Sequence, residues 1–595
     1  MRTSLTGYSR ATEPCGPSAF GARTRAVDEA IERYRDEPAA ALSLLVELGL
    51  LLGPLPASAI AYAAAKLGTD ADRLAALARA HRLAAASHEL SRLGICTNGP
   101  CAARGGNEVE RVLREKGVLF EPLRCQGACD LGPIACYNRG PPLAISAARA
   151  RSLAKADPLD WEDILSVEKP VHAFKTETRV AFANIFAKGS HQLATARRHG
   201  AWAPVESALQ APPEAVFEAV CASGLVGGEL DGRPVAERWA RVREGTGPKW
   251  LVIDGLETEP GTSKDRILLE RDPHLVLAGA VLCAYAVGAT EALLCVRGEY
   301  ELVFERCRAA VDDATRCGLL GEKILGTGFS LPVRLRLAPS SYFAREPARL
   351  IEALEGDPPG APAALPNPEE GGLGGQPTLV QNVETLASLP AIVAQGAEWY
   401  RALGKNGAGG AKVVSLGGDV KRPGNYEVPR GTPLRHLIEE LGEGPLQGKS
   451  ILALHLGGAA SAYLAGDQID TPLDDAALGP LGACIGSGAV VAVSEKSCLL
   501  DLARREAAFF AREACGACPG CSHLLELEQA IGLLGTGPEP AARIEALMAE
   551  LSSAGCPIGR RAAVPIGSVL ERFPQTIDLH REGHCSCHPR KKAKS

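Results

Sequence analysis

The chain has 595 residues, a mass of 62.2 kDa and a formal net charge of -6. A single hydrophobic core seldom serves more than roughly 250 to 300 residues, so we expect several domains. The negative charge gives no reason to expect a nucleic-acid partner. The most apolar stretch, residues 39–65, is interrupted by a glutamate and by a Gly-Pro-Leu-Pro turn, which argues against a membrane span of about 20 residues. Residues 1–25 lack a continuous apolar segment, so we expect no signal peptide and a cytoplasmic location.

The N-terminal third of the chain divides into three predicted segments. Residues 1–25 should be flexible, and residues 26–150 should hold a helical hairpin followed by a thioredoxin-like α/β unit. Within that unit the pattern predicts a helix over 107–116 and a short apolar strand over 118–120. Residues 151–210 are predicted to be a connector.

The remaining two thirds should form two further domains, a helical bundle and a tail. Residues 211–405 alternate apolar strands with amphipathic helices, which predicts an α/β domain. A proline- and glycine-rich run at 358–376 should be a long loop. The last three predicted segments are a smaller strand-rich domain, a helical bundle and a basic tail, at residues 406–496, 497–580 and 581–595.

Four cysteines of the N-terminal unit have the spacing of an iron-sulfur site. Cys96 and Cys101 form a Cys-x4-Cys pair, and Cys125 and Cys129 form a Cys-x3-Cys pair. Each pair can hold one iron of a 2Fe-2S cluster, and neighbouring small residues let backbone amides approach the sulfurs. A pair of disulfides is the alternative interpretation.

A second cysteine set lies in the predicted helical bundle. Cys515, Cys518 and Cys521 form a Cys-x-x-Cys-x-x-Cys run, and Cys556 follows at a Gly-Cys-Pro turn. Three thiolates on one turn and a distant fourth are typical of a 4Fe-4S cluster. Structural zinc is the alternative, although zinc usually takes paired Cys-x-x-Cys hooks. The other eleven cysteines are interpreted mainly as small buried apolar residues.

The chain resembles a known family over roughly residues 30–580. It looks like the flavin-carrying, NADH-oxidising subunit of respiratory complex I fused to a thioredoxin-like 2Fe-2S domain, as in diaphorase subunits of NAD-reducing hydrogenases and formate dehydrogenases. The matching blocks, in the family's order, are ICTNGPC with CQGACDLGP, EPGTSKDRILLERDPH, VRGEY, QPTLVQNVETL, GDVKRPGNYEVPRGT and EACGACPGC. The resemblance implies a Rossmann-like FMN-type α/β domain, a ubiquitin-like SLBB domain and a C-terminal bundle holding a 4Fe-4S cluster.

The resemblance also implies positions for FMN and NAD(H). The family's phosphate-binding loop GLRGRGGAGFPTGLKW aligns with residues 224–239, where this chain keeps Gly224, Gly227 and Gly232. Other positions carried over to the flavin and the nicotinamide nucleotide are Glu257, Glu259, Tyr342, Glu346 and Asn382. For Tyr342 a core role, and for Glu257 and Glu259 a solvated loop face, are equally good interpretations.

The same alignment shows departures from the family around the expected flavin. Within the loop, two glycines and an alanine become Glu229, Leu230 and Asp231, and each new carboxylate would repel a phosphate by roughly 3 to 4 kcal/mol. The family's NADEGEPGT, AYICGEETAL and KPPFP become DGLETEPGT, SYFAREPARL and ALPNP, at residues 254–262, 341–350 and 364–368. An aromatic platform and a cation for the nucleotide are thereby lost.

Two functional hypotheses follow from these observations. The first is an electron-transfer subunit of a multisubunit NADH dehydrogenase or diaphorase, passing electrons between an NADH/FMN-type site and iron-sulfur clusters; as an enzyme it would be an NADH:acceptor oxidoreductase. The second is a flavin-free iron-sulfur relay, and a purely structural paralog is a third interpretation. Partner subunits of a hydrogenase, a formate dehydrogenase or a similar reductase are expected. The tail carries His580, His584, Cys585, Cys587 and His588, which could add a metal site or be incidental.

Overall fold

The computed structural model describes most of the chain. The described residues are 20, 23–35, 37, 40–81, 83, 93–137, 141–165, 173–228, 232–338, 341–357, 366–446, 450–514, 520–534, 539–553 and 557–581. Among them, no helix combines the length and the apolar character that a membrane crossing requires. The predictions for Glu229, Leu230, Asp231, Cys515, Cys518, Cys556 and the tail from residue 582 onward lie outside the described residues.

Four helices open the described part of the chain. They are α1 (Thr24–Tyr34), α2 (Ala41–Leu52), α3 (Ala57–Leu67) and α4 (Ala71–Ala80). The predicted Gly-Pro-Leu-Pro turn separates α2 from α3, where Gly53 has a positive φ of 83°. The helices share an apolar core, and α2 also packs on a strand of the central domain through the Ser43 hydroxyl, which donates to Leu337 O at 2.7 Å.

The next unit is a small mixed sheet flanked by helices. Its strands are β1 (Leu93–Cys96), β2 (Glu121–Leu123), β3 (Ile134–Tyr137) and β4 (Leu143–Ala144), in the order β2-β1-β3-β4. Strands β1 and β2 are parallel, and β3 is antiparallel to β1 and β4. The helices are α5 (Gly99–Cys101), a π-helical turn (Ala102–Gly106), α6 (Asn107–Glu115), α7 (Ala147–Leu153) and α8 (Trp161–Leu165).

The predicted strand at 118–120 is wrong, because those residues close helix α6. The Val118 N–H donates to Leu113 O and the Gly117 N–H to Arg114 O, with Gly117 at a φ of 72°. Backbone groups used in such a C-terminal cap are not available to a sheet. Leu119 is then 81% exposed, and the strand begins only at Glu121.

The central domain has a parallel four-stranded sheet. Its strands are β5 (Trp250–Gly255), β6 (Glu291–Arg297), β7 (Val333–Ala338) and β8 (Thr378–Asn382), in the order β7-β6-β5-β8. Eleven helices belong to this part of the described chain: α9 (Leu193–Arg198), α10 (Ala203–Ala208), α11 (Pro213–Ser223), α12 (Ala236–Glu244), α13 (Lys264–Arg271), α14 (Pro273–Val287), α15 (Glu301–Arg316), α16 (Pro347–Leu354), α17 (Pro368–Gly371), α18 (Val383–Gln395) and α19 (Ala397–Ala402). Because successive strands first add on one side of β5 and β8 then adds on the other, β5 and β8 flank the topological switch point.

The predicted loop at 358–376 is shorter than expected where it is described. Helix α17 and a 3-10 turn (Leu373–Gly375) occupy its second half. The helix forms because Asn367 accepts the Glu369 N–H and because Pro368, at the first helical position, lacks an N–H that would need a partner.

The last two units are a five-stranded sheet and a helical bundle. The strands are β9 (Ala411–Gly418), β10 (Gly424–Pro429), β11 (Ile451–Leu456), β12 (Tyr463–Ala465) and β13 (Ala489–Ser494), in the order β10-β9-β13-β11-β12, with helix α20 (Asp475–Leu478) and a π-helical turn (His436–Leu441). The bundle contains α21 (Leu499–Glu513), α22 (Gly520–Gly532), α23 (Glu539–Ser553) and α24 (Pro557–Arg572), followed by α25 (Gln575–Arg581). Phe509, Phe510 and Leu527 lie in the bundle core.

Candidate functional site

A cavity of about 290 Å³ lies at the switch point of the central sheet. Asp254 and Glu257, at and beyond the carboxyl end of β5, line it together with Asn382 at the carboxyl end of β8. Open α/β sheets bind ligands in this crevice, outside the carboxyl ends of the strands. The fold therefore places a ligand-binding cavity at the motif blocks that the sequence singled out.

A buried lysine organises one wall of this cavity. Lys264 forms ion pairs with Asp265 (2.5 Å) and Glu384 (3.0 Å) and donates to the Asn382 side chain at 3.3 Å. Burial alone would lower the pKa of Lys264, but Asp265, Glu384 and Glu257 raise it. Burial likewise opposes ionisation of Glu384, yet Lys264 and Lys412 hold its pKa at about 2. This wall therefore carries full charges that compensate one another.

Glu257 acts as the cap of a helix. It has a φ of 44°, and its carboxylate accepts the N–H groups of Asp265 and Arg266, both at 3.0 Å, in the first turn of α13. A carboxylate there satisfies free amides and interacts favourably with the helix dipole. Burial, together with the nearby charge of Asp265, raises the pKa of Glu257 to about 8. Glu257 therefore has a structural role as a helix cap, in addition to the cofactor role that the resemblance implies.

Glu259 is fixed from both sides. One carboxylate oxygen accepts the Ala459 N–H at 2.6 Å, from the five-stranded domain, and the other pairs with the Arg345 guanidinium. Arg345 also donates to Gly228 O at 3.4 Å, on the opposite wall of the cavity. Burial would lower the pKa of Arg345, but the Glu259 carboxylate raises it. Arg345 and Glu259 thus form an ion pair that crosses the cavity.

Two other predicted cofactor residues lie at different depths. Glu346 lines the rim and pairs with Arg561 of α24. Tyr342 is buried behind the cavity, where its ring makes edge contacts with Phe509 and Phe510 of α21. The core interpretation of Tyr342 therefore describes its contacts better than a direct role at the cavity.

The three predicted loop glycines do not share one role. Gly224 ends α11 with a left-handed φ of 65°. Gly227 lines a separate, much smaller space of about 20 Å³. Gly232 has a φ of 62°, and a Cβ there would meet the Asp475 side chain at 3.0 Å. The loop segment between Gly228 and Gly232 lies outside the described residues, so the expected repulsion of a phosphate by Glu229 and Asp231 stays a prediction.

The structure gathers the four N-terminal cysteines into two pairs. Cys96 ends β1 and Cys101 ends α5, and their thiols are hydrogen-bonded, which lowers the pKa of Cys96 and raises that of Cys101. The Sγ atoms of Cys125 and Cys129 lie 3.7 Å apart. All four are buried free thiols, so neither predicted pair forms a disulfide. The disulfide alternative is therefore wrong for these residues.

The two thiol pairs match the number of protein ligands that a 2Fe-2S cluster takes. Among the residues that the structure describes, no group of three or more Cys, His, Asp or Glu side chains could hold a single metal ion. A 2Fe-2S cluster does not need such a group, because each iron takes only two thiolates. Two buried thiol pairs have the donor chemistry that this cluster requires.

The cysteine loop is held directly against the cavity loop. The Gly261 N–H, from the loop between Glu259 and α13, donates to Cys129 Sγ at 3.3 Å. The buried Arg297 at the end of β6 donates to Cys125 O at 2.6 Å and to Glu257 O at 3.1 Å. A single peptide segment therefore separates the candidate cluster site from the cavity.

Only one residue of the second cysteine set is described. Cys521 lies in the first turn of α22, and the predicted position of the whole cysteine run between two helices stays a prediction. The preceding helix α21 ends in contact with the first cysteine unit. Arg512 donates to the Asn98 side chain at 2.8 Å, and Glu513 pairs with Arg124 at 3.3 Å.

Sequence reasoning missed the three basic residues that the central domain contributes to the cavity: Arg238, Lys264 and Arg345. Lys264 stands inside the quoted block EPGTSKDR, and Arg238 aligns with the lysine of the family's GLKW. Arg345 aligns with the glycine of AYICGEETAL. Each was visible in the alignment, but only the fold shows that their side chains converge.

Comparisons with known proteins agree with these observations. A family model described as the Nuo51 FMN-binding domain matches residues 220–391, and a model of the SLBB domain matches residues 413–457. An NADH-quinone oxidoreductase subunit of Rhizobium meliloti is 34% identical over 419 residues, covering 69% of this chain and 99% of that protein. The Aquifex aeolicus counterpart is 33% identical over 401 residues, covering 67% of this chain and 93% of that protein.

A solved structure is similar over nearly the whole chain. It is a chain of an NAD+-reducing NiFe hydrogenase in the H2-reduced state, with a TM-score of 0.72, 25% identity, and coverage of 91% of this chain and 93% of that one. The protein is thus a mixed α/β, multidomain electron-transfer subunit of the NADH dehydrogenase type. It belongs to the family of NADH-quinone oxidoreductase subunits that includes the Rhizobium and Aquifex proteins.

The side chains at the cavity do not fit FMN as they stand. The Arg345–Glu259 ion pair crosses the space between the loop after β5 and Gly228. About 290 Å³ remains, which is at the lower edge of the roughly 300 to 1,000 Å³ used by sites for drug-sized ligands. The space that Arg345 and Glu259 leave is therefore small for a flavin.

Proposed function

We propose that this chain carries single electrons between a 2Fe-2S cluster on Cys96, Cys101, Cys125 and Cys129 and a 4Fe-4S cluster on a second cysteine set. The observation that supports the first site is the pairing of four buried free thiols against the cavity loop. Such a cluster supplies reversible one-electron transfer. On this proposal the N-terminal unit is a thioredoxin-like 2Fe-2S domain.

The chain's own groups would tune the potential of the first site. The Gly261 N–H donates to the Cys129 sulfur, and hydrogen bonds to the sulfurs and burial are among the factors that set cluster potentials. Arg297 and Arg266 add positive charge and hold the loop by its carbonyls, Arg266 donating to Gly127 O at 3.1 Å. These contacts favour the reduced, more negative form of a cluster.

The second site is proposed on Cys515, Cys518, Cys521 and Cys556, from their spacing in the sequence. The position of Cys521 at the start of α22 and the contacts of Arg512 and Glu513 with the first cysteine unit support a route between the two sites. Zinc in place of 4Fe-4S remains the alternative for this set.

The protein would work inside a larger redox complex. Its relatives are named as subunits of NADH-quinone oxidoreductase, and the solved structure is a chain of an NAD+-reducing hydrogenase. A relay needs a donor and an acceptor, so we expect partner subunits of a hydrogenase, a formate dehydrogenase or a similar reductase. Free thiols in iron-sulfur sites suit a reducing, cytoplasmic compartment.

A second candidate is NADH oxidation at the switch-point cavity with FMN. The match of residues 220–391 to the FMN-binding domain favours it, and so does the presence of Glu257, Glu259, Glu346 and Asn382 around the cavity. Roles of Gly224, Gly227, Gly232 and Tyr342 in cofactor binding belong to this candidate and stay predictions.

The test of the relay is the iron content of cysteine variants of the full chain. Purified anaerobically, the wild type should hold about six irons, and Cys129→Ala about four, with loss of the 2Fe-2S signal in electron paramagnetic resonance. Cys136→Ala is the matched control, because Cys136 is buried in the same apolar cluster as Cys96 and Cys101 but belongs to neither pair. It should keep about six irons.

Other outcomes would contradict the assignment. If Cys129→Ala and Cys136→Ala lose iron equally, the thiols have only a packing role. A Cys521→Ala variant should lose about four irons and keep the 2Fe-2S signal. Zinc in the wild type, with no more than about two irons, would overturn the second site.

A further inference from the structure

Arg345 occupies a position at which the related family has a glycine. It ends a 3-10 turn (Tyr342–Arg345) just before α16, and the gap-free alignment of SYFAREPARL with AYICGEETAL puts glycine there. Glycine leaves the space beside its backbone free. An arginine adds the longest cationic side chain at the same point, and here it extends into the cavity.

The Arg345 side chain is held in place by several groups. Only 16% of it is exposed, and its partner Glu259 is 4% exposed. The guanidinium also contacts Gly228 O at 3.4 Å and the Tyr342 hydroxyl at 3.5 Å. Glu259 in turn accepts the Ala459 N–H. Removing one partner from a buried ion pair of this kind is unfavourable by a factor on the order of 100 to several thousand.

A second ion pair narrows the rim of the same cavity. Arg561 of α24 pairs with Glu346, which follows Arg345 directly. The bundle and the central domain thus both contribute cations at the mouth. The remaining space of about 290 Å³ is small for the tricyclic ring of FMN with its ribityl phosphate. A flavin with a dinucleotide beside it would need still more space.

We propose that the Arg345–Glu259 pair closes the nucleotide cavity to FMN, so that this chain works without a bound flavin. The inference concerns the cavity alone and does not depend on the cysteine assignments. It makes Arg345 a specificity-determining residue, and it implies that removing its side chain enlarges the space that a flavin can enter.

The test measures FMN in the full-length protein. Wild type, Arg345→Gly and the control Arg349→Gly are purified, incubated with FMN, and passed through equilibrium dialysis, and flavin is then released with acid and quantified. Arg349 is a good control because it is also buried and paired, with Glu352 at 2.7 Å, but does not line the cavity. Arg345→Gly should bind FMN at least tenfold more tightly than either other protein.

A double variant controls for the unpaired carboxylate that Arg345→Gly leaves in the protein interior. Arg345→Gly leaves Glu259 buried without its cation, so Arg345→Gly with Glu259→Gln is measured in parallel, and circular dichroism reports folding. The proposal is overturned if the wild type retains about one FMN per chain, or if neither folded variant binds FMN better than Arg349→Gly. Iron is counted in the same samples, so a failure of the relay proposal would be seen separately.

Discussion

His81 is a residue whose chemistry ties two distant parts of the chain together. It follows α4, its Nδ1 lies 2.9 Å from Ser341 Oγ, and its ring lies against Phe343. Burial, with a smaller effect of Arg124, lowers the pKa of His81 from 6.5 to about 3. The folded protein therefore keeps this imidazole neutral at pH values where the unfolded chain would protonate it.

The sign of the resulting pH dependence follows from proton counts. Below pH 6.5 the unfolded chain binds a proton at His81 that the folded protein does not, so stability falls as the pH falls from 6.5 toward 3. The slope should reach about 1.4 kcal/mol per pH unit for this one group. His81→Asn should remove that slope in urea unfolding between pH 7 and about 5, whereas His199→Asn, at an exposed position, should leave it unchanged. Equal slopes in all three proteins would contradict the assignment.

At the scale of elements, helix α14 depends on one close approach. It is buried on every side, and a Cβ built at Gly279 would lie 1.9 Å from Leu386 O in α18. The glycine is thus required by helix packing rather than by a backbone angle. This contact fixes the direction in which α18 continues from β8. It therefore also fixes the position of Asn382 at the edge of the cavity.

Gly279→Ala should therefore force α14 and α18 apart. We expect a loss of about 3 kcal/mol or more in the free energy of unfolding, the range for severe overpacking. Gly49→Ala in α2 is the matched helical control, because its nearest neighbour would be Leu83 Cδ2 at 3.9 Å. That change should stabilise the protein by roughly 0.5 to 1 kcal/mol. Urea unfolding with hydrogen exchange of both helices measures the two effects, and a neutral Gly279→Ala would refute the packing argument.

At the scale of the whole molecule, Arg505 joins the bundle to the first cysteine unit. This buried residue of α21 pairs with Asp501 at 2.7 Å and Glu110 at 2.5 Å, and it donates to Thr97 O at 3.0 Å, beside Cys96. Removing one partner of such a network leaves uncompensated carboxylates buried. This guanidinium is thus the most highly connected of the described contacts at the junction, which also includes those of Arg512 and Glu513.

Arg505→Met should loosen that junction at a cost of about 3 to 5 kcal/mol. Limited proteolysis and hydrogen exchange at residues 93–137 should report the opening first. Arg504→Met is the control on the neighbouring position, where the side chain is 34% exposed and the expected effect is below about 1 kcal/mol. Equal protection in the two variants would mean that the units are held elsewhere.

Much of this organisation could be predicted from the sequence, and the failures have physical causes. The pattern predicts an alternation of strands and helices over residues 211–405, and β5 to β8 with their intervening helices lie within that range. The strand at 118–120 failed because a helix cap used its backbone groups. Motif blocks located the cavity, but periodicity assigns side chains to faces within one element and does not show which separate segments meet, so the convergence of Arg345 and Lys264 required the fold. The domain boundaries themselves stay predictions.

Arg297 has a consequence for anyone dividing this protein into pieces. The same guanidinium reaches the carbonyl of Cys125 and that of Glu257, and it is fully enclosed between them. A fragment ending before β6 would lack the donor that anchors its cysteine loop, and the complementary fragment would expose a cation built for the interior. Spectra of an excised N-terminal piece would therefore describe a differently shaped thiol loop, and only the undivided polypeptide reports the native one.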